Sequence, residues 1–193
     1  MAADAVDACV DFIPTRVAPS ITKRTPLVGA DGYFALINQT ERIGERFGLH
    51  PYRIRRLLNR YGSLIDDVLA PTDENPGLLE PLAAAPQYLR AEVRYAVASE
   101  AALHLEDIMA RRTRIAIEYP HRGADCAQEV AELVAPMLGW SKKQVAFEVQ
   151  NYRARVEAEI ASQRQPDDES ADALRAAAPE SRAEILEPVP VPD

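Results

Sequence analysis

The chain has 193 residues, of which 47% are hydrophobic, and a formal net charge of −8 at pH 7. This length suits one domain with additional segments, and the negative charge argues against a protein built as a whole to bind phosphates. The charge is uneven, because residues 165–193 carry eight acids against two arginines, a net charge of −6 that leaves −2 for residues 1–164.

Cysteine and histidine usage argues against several kinds of site. Cys9 and Cys126 are far apart and form no CxxC motif, so we expect no disulfide framework and a reducing compartment. The three histidines form no HxxxH pair, so no metal site is predicted. No apolar run reaches the ~20 residues of a bilayer-spanning helix, and no signal peptide is visible. A cytoplasmic location is therefore expected.

The first thirty residues predict a helix followed by a connector. Residues 2–13 place four apolar side chains on one helical stripe: Val6, Cys9, Val10 and Ile13. No N-capping residue precedes this helix, so we interpret it as the continuation of a preceding domain. Residues 14–30 contain three prolines, which remove backbone donors and favour extended structure.

Helices dominate the next segment. Asp31 is suited to cap a helix whose apolar stripe ends at Gly48, a residue typical of helix C-termini. Pro51 suits the first turn of the following helix, which is expected to stop at Gly62. A further short helix is predicted to end near Leu69.

The second half of the body contains longer helical patterns. Residues 70–87 include four prolines and predict a loop with at most one helical turn. Residues 88–118 are proline-free and rich in helix formers, but their apolar stripe is interrupted at 100–104, where we expect a bend or break. Pro136 is predicted to kink a later helix, and Ser141 to cap the last strong one.

No segment alternates with period two, so no strand is predicted. The sequence predicts an all-α fold: an N-terminal helix plus extended connector (1–30), a small orthogonal helical bundle (31–164) and a disordered acidic tail (165–193). The tail has too few apolar residues to offset an ordering cost of about 1–2 kcal/mol per residue. A transient helix over residues 171–178 is compatible with its alanine content.

Motifs for cofactor binding and catalysis are missing from this sequence. It contains no GxGxxG and no GxxxxGK[ST], so no phosphate cradle, cofactor site or catalytic residue is predicted. The best candidate for binding nucleic acid is "HPYRIRRLLNRYG" at residues 50–62, which resembles the recognition helix of a helix-turn-helix motif. Its arginines equally suit a solvated helix face, and that interpretation is favoured because the rest of the body is not basic.

The stretch "EDIMARRTR" at residues 106–114 combines acids with arginines. On a regular helix Asp107 reaches Arg111, and Arg111 shares a face with Arg114 while Arg112 points elsewhere. Because guanidinium binds carboxylate in a planar fork, we favour a network that docks helices together over a substrate-anion site or a solvated face. The predicted structural or interdomain network consists of Glu92, Glu100, Asp107, Arg111, Arg112 and Arg114.

Three stretches resemble the C-terminal helical domain of FAD-dependent, quinone-linked glycerol-3-phosphate dehydrogenases. They are "RYGSLIDDVL", "PQYLRAEVRYAVASEAALHLEDIMARRTRIAIE" and "AQEVAELVAPMLGWSKKQ". The most specific feature is the spacing from Glu92 to Glu100, followed by "EDIMARRTR". The opening "MAADAVDA" also resembles the helix that closes the family's FAD-binding domain, so the resemblance covers roughly residues 1–155.

The resemblance implies a role in glycerol metabolism. A whole flavoprotein of this family is an oxidoreductase that converts glycerol 3-phosphate to dihydroxyacetone phosphate and passes electrons through FAD to quinone, peripheral to the inner face of the membrane. The family's FAD-binding and substrate-binding residues lie upstream of anything in this sequence, so none is carried over. The chain is thus expected to be an inactive C-terminal fragment that partners the missing FAD-binding domain. The alternative is an autonomous helical module that binds nucleic acid or protein through Arg53–Arg60.

Overall fold

A computed structural model describes residues 2–10 and 12–179 of the chain. Apart from an isolated bridge between Pro81 and Leu89, regular structure in these residues is helical, which confirms the predicted all-α class. The α-helices are α1 (Ala2–Val10), α2 (Tyr33–Ile37), α3 (Thr40–Phe47), α4 (Pro51–Tyr61), α5 (Ile65–Leu69), α6 (Arg90–Ala98), α7 (Ile115–Glu118), α8 (Ala127–Leu138), α9 (Lys142–Ser162) and α10 (Asp168–Ala176). Within the described ranges, no helix is both long and apolar enough to cross a membrane.

The chain divides into two compact units after Ile65. The end of the connector and α2 are hydrogen-bonded to α4 and to the turn that follows it. The Ser63 amide donates to the Gly29 carbonyl at 2.9 Å, and the Tyr33 hydroxyl donates to Asn59 Oδ1 at 2.7 Å. Residues of the connector therefore fold with α2–α4.

Two helix ends in the N-terminal unit follow the sequence signals, whereas Asp31 does not cap α2, which begins after Gly32 without a side-chain cap. Gly48 ends α3 in the left-handed conformation at φ +65°. Pro51 begins α4, and the His50 ring accepts a hydrogen bond from the Tyr52 amide at 3.2 Å. One difference is that the predicted helix from Asp31 to Gly48 is two helices, α2 and α3, which meet at residues 38–39.

The C-terminal unit is built on α6, α8 and α9, with α8 packed against both α6 and α9. Ser141 caps α9 as predicted, because its hydroxyl accepts the Gln144 amide at 3.2 Å. Pro136 falls within the last turn of α8, which continues to Leu138. The largest fully buried side chains of this unit come from many segments: Leu69, Leu82, Tyr88, Leu89, Leu105, Ile108, Met109 and Ile115.

The segment after α6 leaves helical structure twice. α6 ends at Ala98, which confirms the predicted break near residues 100–104. The chain then forms a π-helix at Asp107–Arg112 rather than the expected α-helix, and α7 begins only at Ile115. The π-helix ends at Thr113, whose backbone is extended (φ −115°, ψ 176°). The Thr113 amide and hydroxyl both donate to the Ile108 carbonyl, at 2.8 Å and 2.7 Å.

A helix occupies part of the segment predicted to be a disordered tail. The Asp167 carboxylate caps α10 by accepting the Ser170 amide at 2.7 Å. Ala171 is buried, and Arg175 donates to the Ser162 hydroxyl at 3.1 Å. Packing of α10 against α9 offsets the ordering cost in a way that composition does not reveal. The rest of the predicted tail, residues 180–193, lies outside the described residues.

Gly62 provides a test of the N-terminal unit. A Cβ atom at Gly62 would lie 1.9 Å from the Gly29 carbonyl oxygen, and its φ is +57°. We expect Gly62→Ala to lower the free energy of unfolding by about 3 kcal/mol or more, since the backbone must move. Gly48→Ala is the matched control, because Gly48 also has positive φ but a Cβ there meets nothing within 4 Å; its cost should be about 1 kcal/mol. Urea unfolding followed by circular dichroism measures both, and equal losses would contradict the steric explanation.

Candidate functional site

The π-helix brings Arg111 onto two carboxylates. Arg111 Nη2 donates to Glu106 Oε1 at 2.8 Å, and Nη1 donates to Asp107 Oδ1 at 3.3 Å. The Asp107–Arg111 pair is the one expected from the sequence. The Glu106–Arg111 pair spans five residues, a spacing that the wider turn of a π-helix places on one side. The Arg111 side chain is 39% exposed, so solvent screens both pairs.

Arg112 and Arg114 differ in their surroundings. Arg112 is part-buried, and its Nε donates to the Glu100 carbonyl oxygen at 2.7 Å. Arg114 is exposed and follows the end of the π-helix. The expected regular helix does not run through Arg114, because the π-helix ends at Arg112 and α7 begins only at Ile115.

The acids of this region bind backbone amides. The buried Glu92 carboxylate accepts the Leu89 amide at 3.0 Å, at the start of α6. Asp107 Oδ2 accepts the amides of Leu103 and His104, both at 3.2 Å. These N–H groups lie at helix starts, where no helical carbonyl is available to them. Glu92 and Asp107 thus act as helix caps, and Glu100 contributes its backbone carbonyl to Arg112.

Glu148 joins α9 to the break after α6. Its side chain is 2% exposed. Oε1 lies 2.9 Å from His104 Nδ1, and Oε2 accepts the Leu105 amide at 3.0 Å. Gln144 Nε2 donates to Oε1 at 3.3 Å. A buried carboxylate is costly unless it is hydrogen-bonded, and here three donors from two segments surround it.

A left-handed turn lies beside this cluster. His121, Arg122 and Gly123 have φ values of +48°, +51° and +69°. Two non-glycine residues in this region cost about 1–2 kcal/mol each, so the surroundings must stabilise the turn. Tyr152 donates to the Arg122 carbonyl at 2.5 Å, and Cys126 Sγ donates to the Gly123 carbonyl at 3.0 Å.

Burial keeps both of these donors protonated. It raises the pKa of the Tyr152 phenol well above its ordinary value, and it raises the pKa of the Cys126 thiol to about 11. A protonated phenol and thiol can donate to the two carbonyls, which anions could not do. The turn therefore depends on buried, neutral donors.

Ion pairs form the rim of the cluster. Arg122 Nε lies 2.6 Å from Glu159 Oε2, and Arg155 Nε lies 3.9 Å from both Glu106 and Glu159. The cavity that these side chains line with Tyr152 measures about 40 Å³. Such a volume suits one or two water molecules and is far below the 300–1,000 Å³ of typical small-molecule sites.

The chemistry of these groups is that of structural support. Most of the carboxylates accept backbone amides or pair with arginine, and the described residues hold no cluster of His, Cys, Asp and Glu that could bind a metal ion. FAD does not fit these residues either, because its phosphates need closely spaced backbone amides from glycines at a helix N-terminus. Gly48 and Gly139 instead end helices, while Gly29 and Gly62 contact each other and Gly123 packs on Ile115.

Sequence reasoning missed several members of the cluster, notably Glu148, His104 and Arg155. One signal was available, because Glu148 lies on the α9 face that also carries Val145, Val149 and Tyr152. An acid within an apolar stripe indicates a buried, hydrogen-bonded carboxylate. Its partner His104 lies 44 residues away, so its identity required the tertiary structure.

Comparison with known proteins identifies the family. The sequence model of the C-terminal domain of alpha-glycerophosphate oxidase matches residues 20–145, which is more than half of the chain. The chain belongs to this family. The resemblance drawn from the three helical stretches is confirmed, and the nucleic-acid-binding alternative is not favoured.

Members of this family with curated descriptions are much longer than the chain. The chain is 68% identical over 191 residues to glycerol-3-phosphate dehydrogenase 2 of Mycobacterium tuberculosis (strain ATCC 25618 / H37Rv). This alignment covers 99% of the chain and 33% of that protein. Glycerol-3-phosphate dehydrogenase of Mycobacterium leprae is 64% identical, over 98% of the chain and 32% of that protein. A mitochondrial glycerol-3-phosphate dehydrogenase of Arabidopsis thaliana is 30% identical, over 81% of the chain and 27% of that protein. The chain thus spans about a third of the length of its bacterial relatives, and no solved structure matches it.

Arg112 and Arg114 should contribute unequally to stability. We expect Arg112→Ala to lower the free energy of unfolding by more than ~2 kcal/mol, because it leaves the part-buried Glu100 carbonyl without this donor. Arg114→Ala, at an exposed side chain, is the matched control and should cost less than ~1 kcal/mol. Urea unfolding of both variants measures the difference. If the unfolding midpoint of Arg112→Ala equals that of the parent chain, the structural role of Arg112 is contradicted.

The two thiols should differ in reactivity. Cys9 is exposed, whereas Cys126 is buried with its pKa raised to about 11. Because the thiolate is the reactive species, we expect a chromogenic aromatic disulfide at pH 8 to modify one thiol rapidly and the second only after unfolding. Cys9→Ser should abolish the rapid phase. Two rapid phases in the folded protein would contradict the burial of Cys126.

Proposed function

We propose that the chain forms the C-terminal helical domain of an FAD-dependent glycerol-3-phosphate dehydrogenase. The complete enzyme oxidises glycerol 3-phosphate to dihydroxyacetone phosphate and transfers the electrons through FAD to quinone. In this proposal the chain supplies no catalytic residue, and it is inactive until combined with the FAD-binding part. The observation that carries the proposal is the match of residues 20–145 to the C-terminal domain of an alpha-glycerophosphate oxidase.

The structure supports an accessory role for this domain. Its buried carboxylates are hydrogen-bonded to backbone amides, as for Glu148 and the Leu105 amide, so they are poorly suited to accept a proton from a substrate. Its described glycines do not form a phosphate cradle. FAD and the residues that bind glycerol 3-phosphate are therefore assigned to the two thirds of the enzyme that the bacterial relatives have in addition.

Within this proposal the segments have separate roles. Residues 1–30 are the last helix of the FAD-binding domain and its connector, and residues 31–164 are the helical domain. The acids and arginines around the π-helix hold the helical domain in shape, and the exposed Arg111 and Arg114 are available at an interdomain surface. The enzyme is assigned to the cytoplasm, peripheral to the inner face of the membrane.

Reconstitution tests the proposal. We expect the purified chain to be colourless and to show no dye-coupled oxidation of glycerol 3-phosphate. Mixed with the N-terminal two thirds of the Mycobacterium tuberculosis relative, it should raise the activity of that fragment at least tenfold. An unrelated helical protein at the same concentration serves as the control. Flavin absorbance or activity in the chain alone, or no gain on mixing, would contradict the proposal.

A further inference from the structure

Two arginines lie on one face of helix α6, and their surroundings differ. Arg90 binds the Glu80 carboxylate, and its Nη2 lies 3.1 Å from Glu129 Oε1. Arg94 follows one turn later and is half-buried. Among the described residues, Arg94 has no hydrogen-bond or ion-pair partner. Because a charge that is partly removed from water is costly without a partner, Arg94 is suited to bind a group from outside the chain.

Arg94 lines a cavity of about 220 Å³ in the C-terminal unit. The cavity lies between α6, α8 and a loop that contains the 3₁₀ turns Ala70–Thr72 and Pro76–Leu79. The loop is held by its own hydrogen bonds, since Asn75 Oδ1 accepts the Gly77 amide at 3.2 Å. The two turns contact each other, and the second contacts α6. The cavity therefore has walls from three segments with defined positions.

The lining of this cavity combines an apolar wall with two opposite charges. The apolar side chains are Leu78, which is buried, and Leu133 and Met137 of α8. Glu74 also lines the cavity, and within the described part of the chain it forms no ion pair with Arg94 or with any other group. The volume is below the 300–1,000 Å³ of typical sites for drug-sized ligands. The cavity therefore suits a smaller molecule that carries both charges and an aliphatic group.

We propose that this cavity binds a free aliphatic α-amino acid of about the size of leucine. The Arg94 guanidinium binds the carboxylate in a planar fork, and Glu74 accepts hydrogen bonds from the ammonium group. The aliphatic side chain packs on Leu133 and Met137. A simple anion is disfavoured because Glu74 repels it, and a simple cation is disfavoured because Arg94 repels it. Since the ligand contacts three segments of the folded unit, its binding stabilises that unit against unfolding.

Isothermal titration calorimetry of the intact 193-residue chain with L-leucine tests the proposal. We expect saturable binding of leucine. Three analogues that each lack one recognised group should bind at least tenfold more weakly: leucinamide without the carboxylate, 4-methylpentanoate without the ammonium group, and glycine without the aliphatic side chain. Equal affinity for 4-methylpentanoate would assign the cavity to simple acids and overturn the proposal. The absence of saturable leucine binding up to about 10 mM would overturn it as well.

Variants of the chain assign the binding to this cavity. Arg94→Gln should weaken the dissociation constant for leucine at least tenfold, because it removes the partner of the carboxylate. Arg114→Gln, at an exposed arginine outside the cavity, is the matched control and should change the constant less than twofold.

Unfolding midpoints separate ligand binding from a structural role of Arg94. Without leucine the midpoint of Arg94→Gln should equal that of the parent, because Arg94 has no partner to lose among the described residues. Leucine should raise the midpoint of the parent but not that of the variant. A lower midpoint of Arg94→Gln without leucine, or unchanged leucine binding by this variant, would overturn the proposal. Since these measurements do not involve the FAD-binding part, their outcome is independent of the proposed function.

Discussion

The hydrogen bonds of the Glu148 carboxylate are the constraint on which the C-terminal unit depends. The chain leaves helical structure after Ala98, and backbone amides beyond that point lack helical partners. Glu148 binds the Leu105 amide and the His104 ring, and Asp107 binds the Leu103 and His104 amides. The non-helical residues after α6 are therefore fixed to α9 by side-chain hydrogen bonds, since regular helical backbone bonds are missing there.

The same logic extends to the neighbouring turn at His121–Gly123. A left-handed run of three residues is unfavourable by itself, and it persists because Tyr152 of α9 and Cys126 donate to its carbonyls. A Cβ atom at Gly123 would lie 2.3 Å from Ile115, so α7 and the turn are closely packed. Helix α9 therefore organises both irregular segments, one through Glu148 and the other through Tyr152.

This arrangement supports the proposed structural role of the cluster of acids and arginines. A general base needs a free lone pair and access to a substrate, whereas the Glu148 carboxylate is 2% exposed and accepts backbone and side-chain donors. The cavity lined by Glu106, Tyr152 and Arg155 measures about 40 Å³, well below the volume of typical small-molecule sites. A helical unit of this kind suits the proposed accessory domain.

The sequence by itself determined the helical class, the ends of α3 and α4 at Gly48 and Gly62, the cap of α9 at Ser141 and the family. These features depend on local chemistry, in which glycine permits positive φ and serine binds a nearby amide. Tertiary structure alone decided the π-helix, the inward turn of Arg112, the burial of Glu148 and the docking of α10. The Glu148–His104, Arg112–Glu100 and Arg175–Ser162 contacts join residues 12 to 44 positions apart, and no local pattern encodes such pairings. The 3.6-residue period assumed a regular α-helix through residue 114, whereas the structure has a π-helix at Asp107–Arg112.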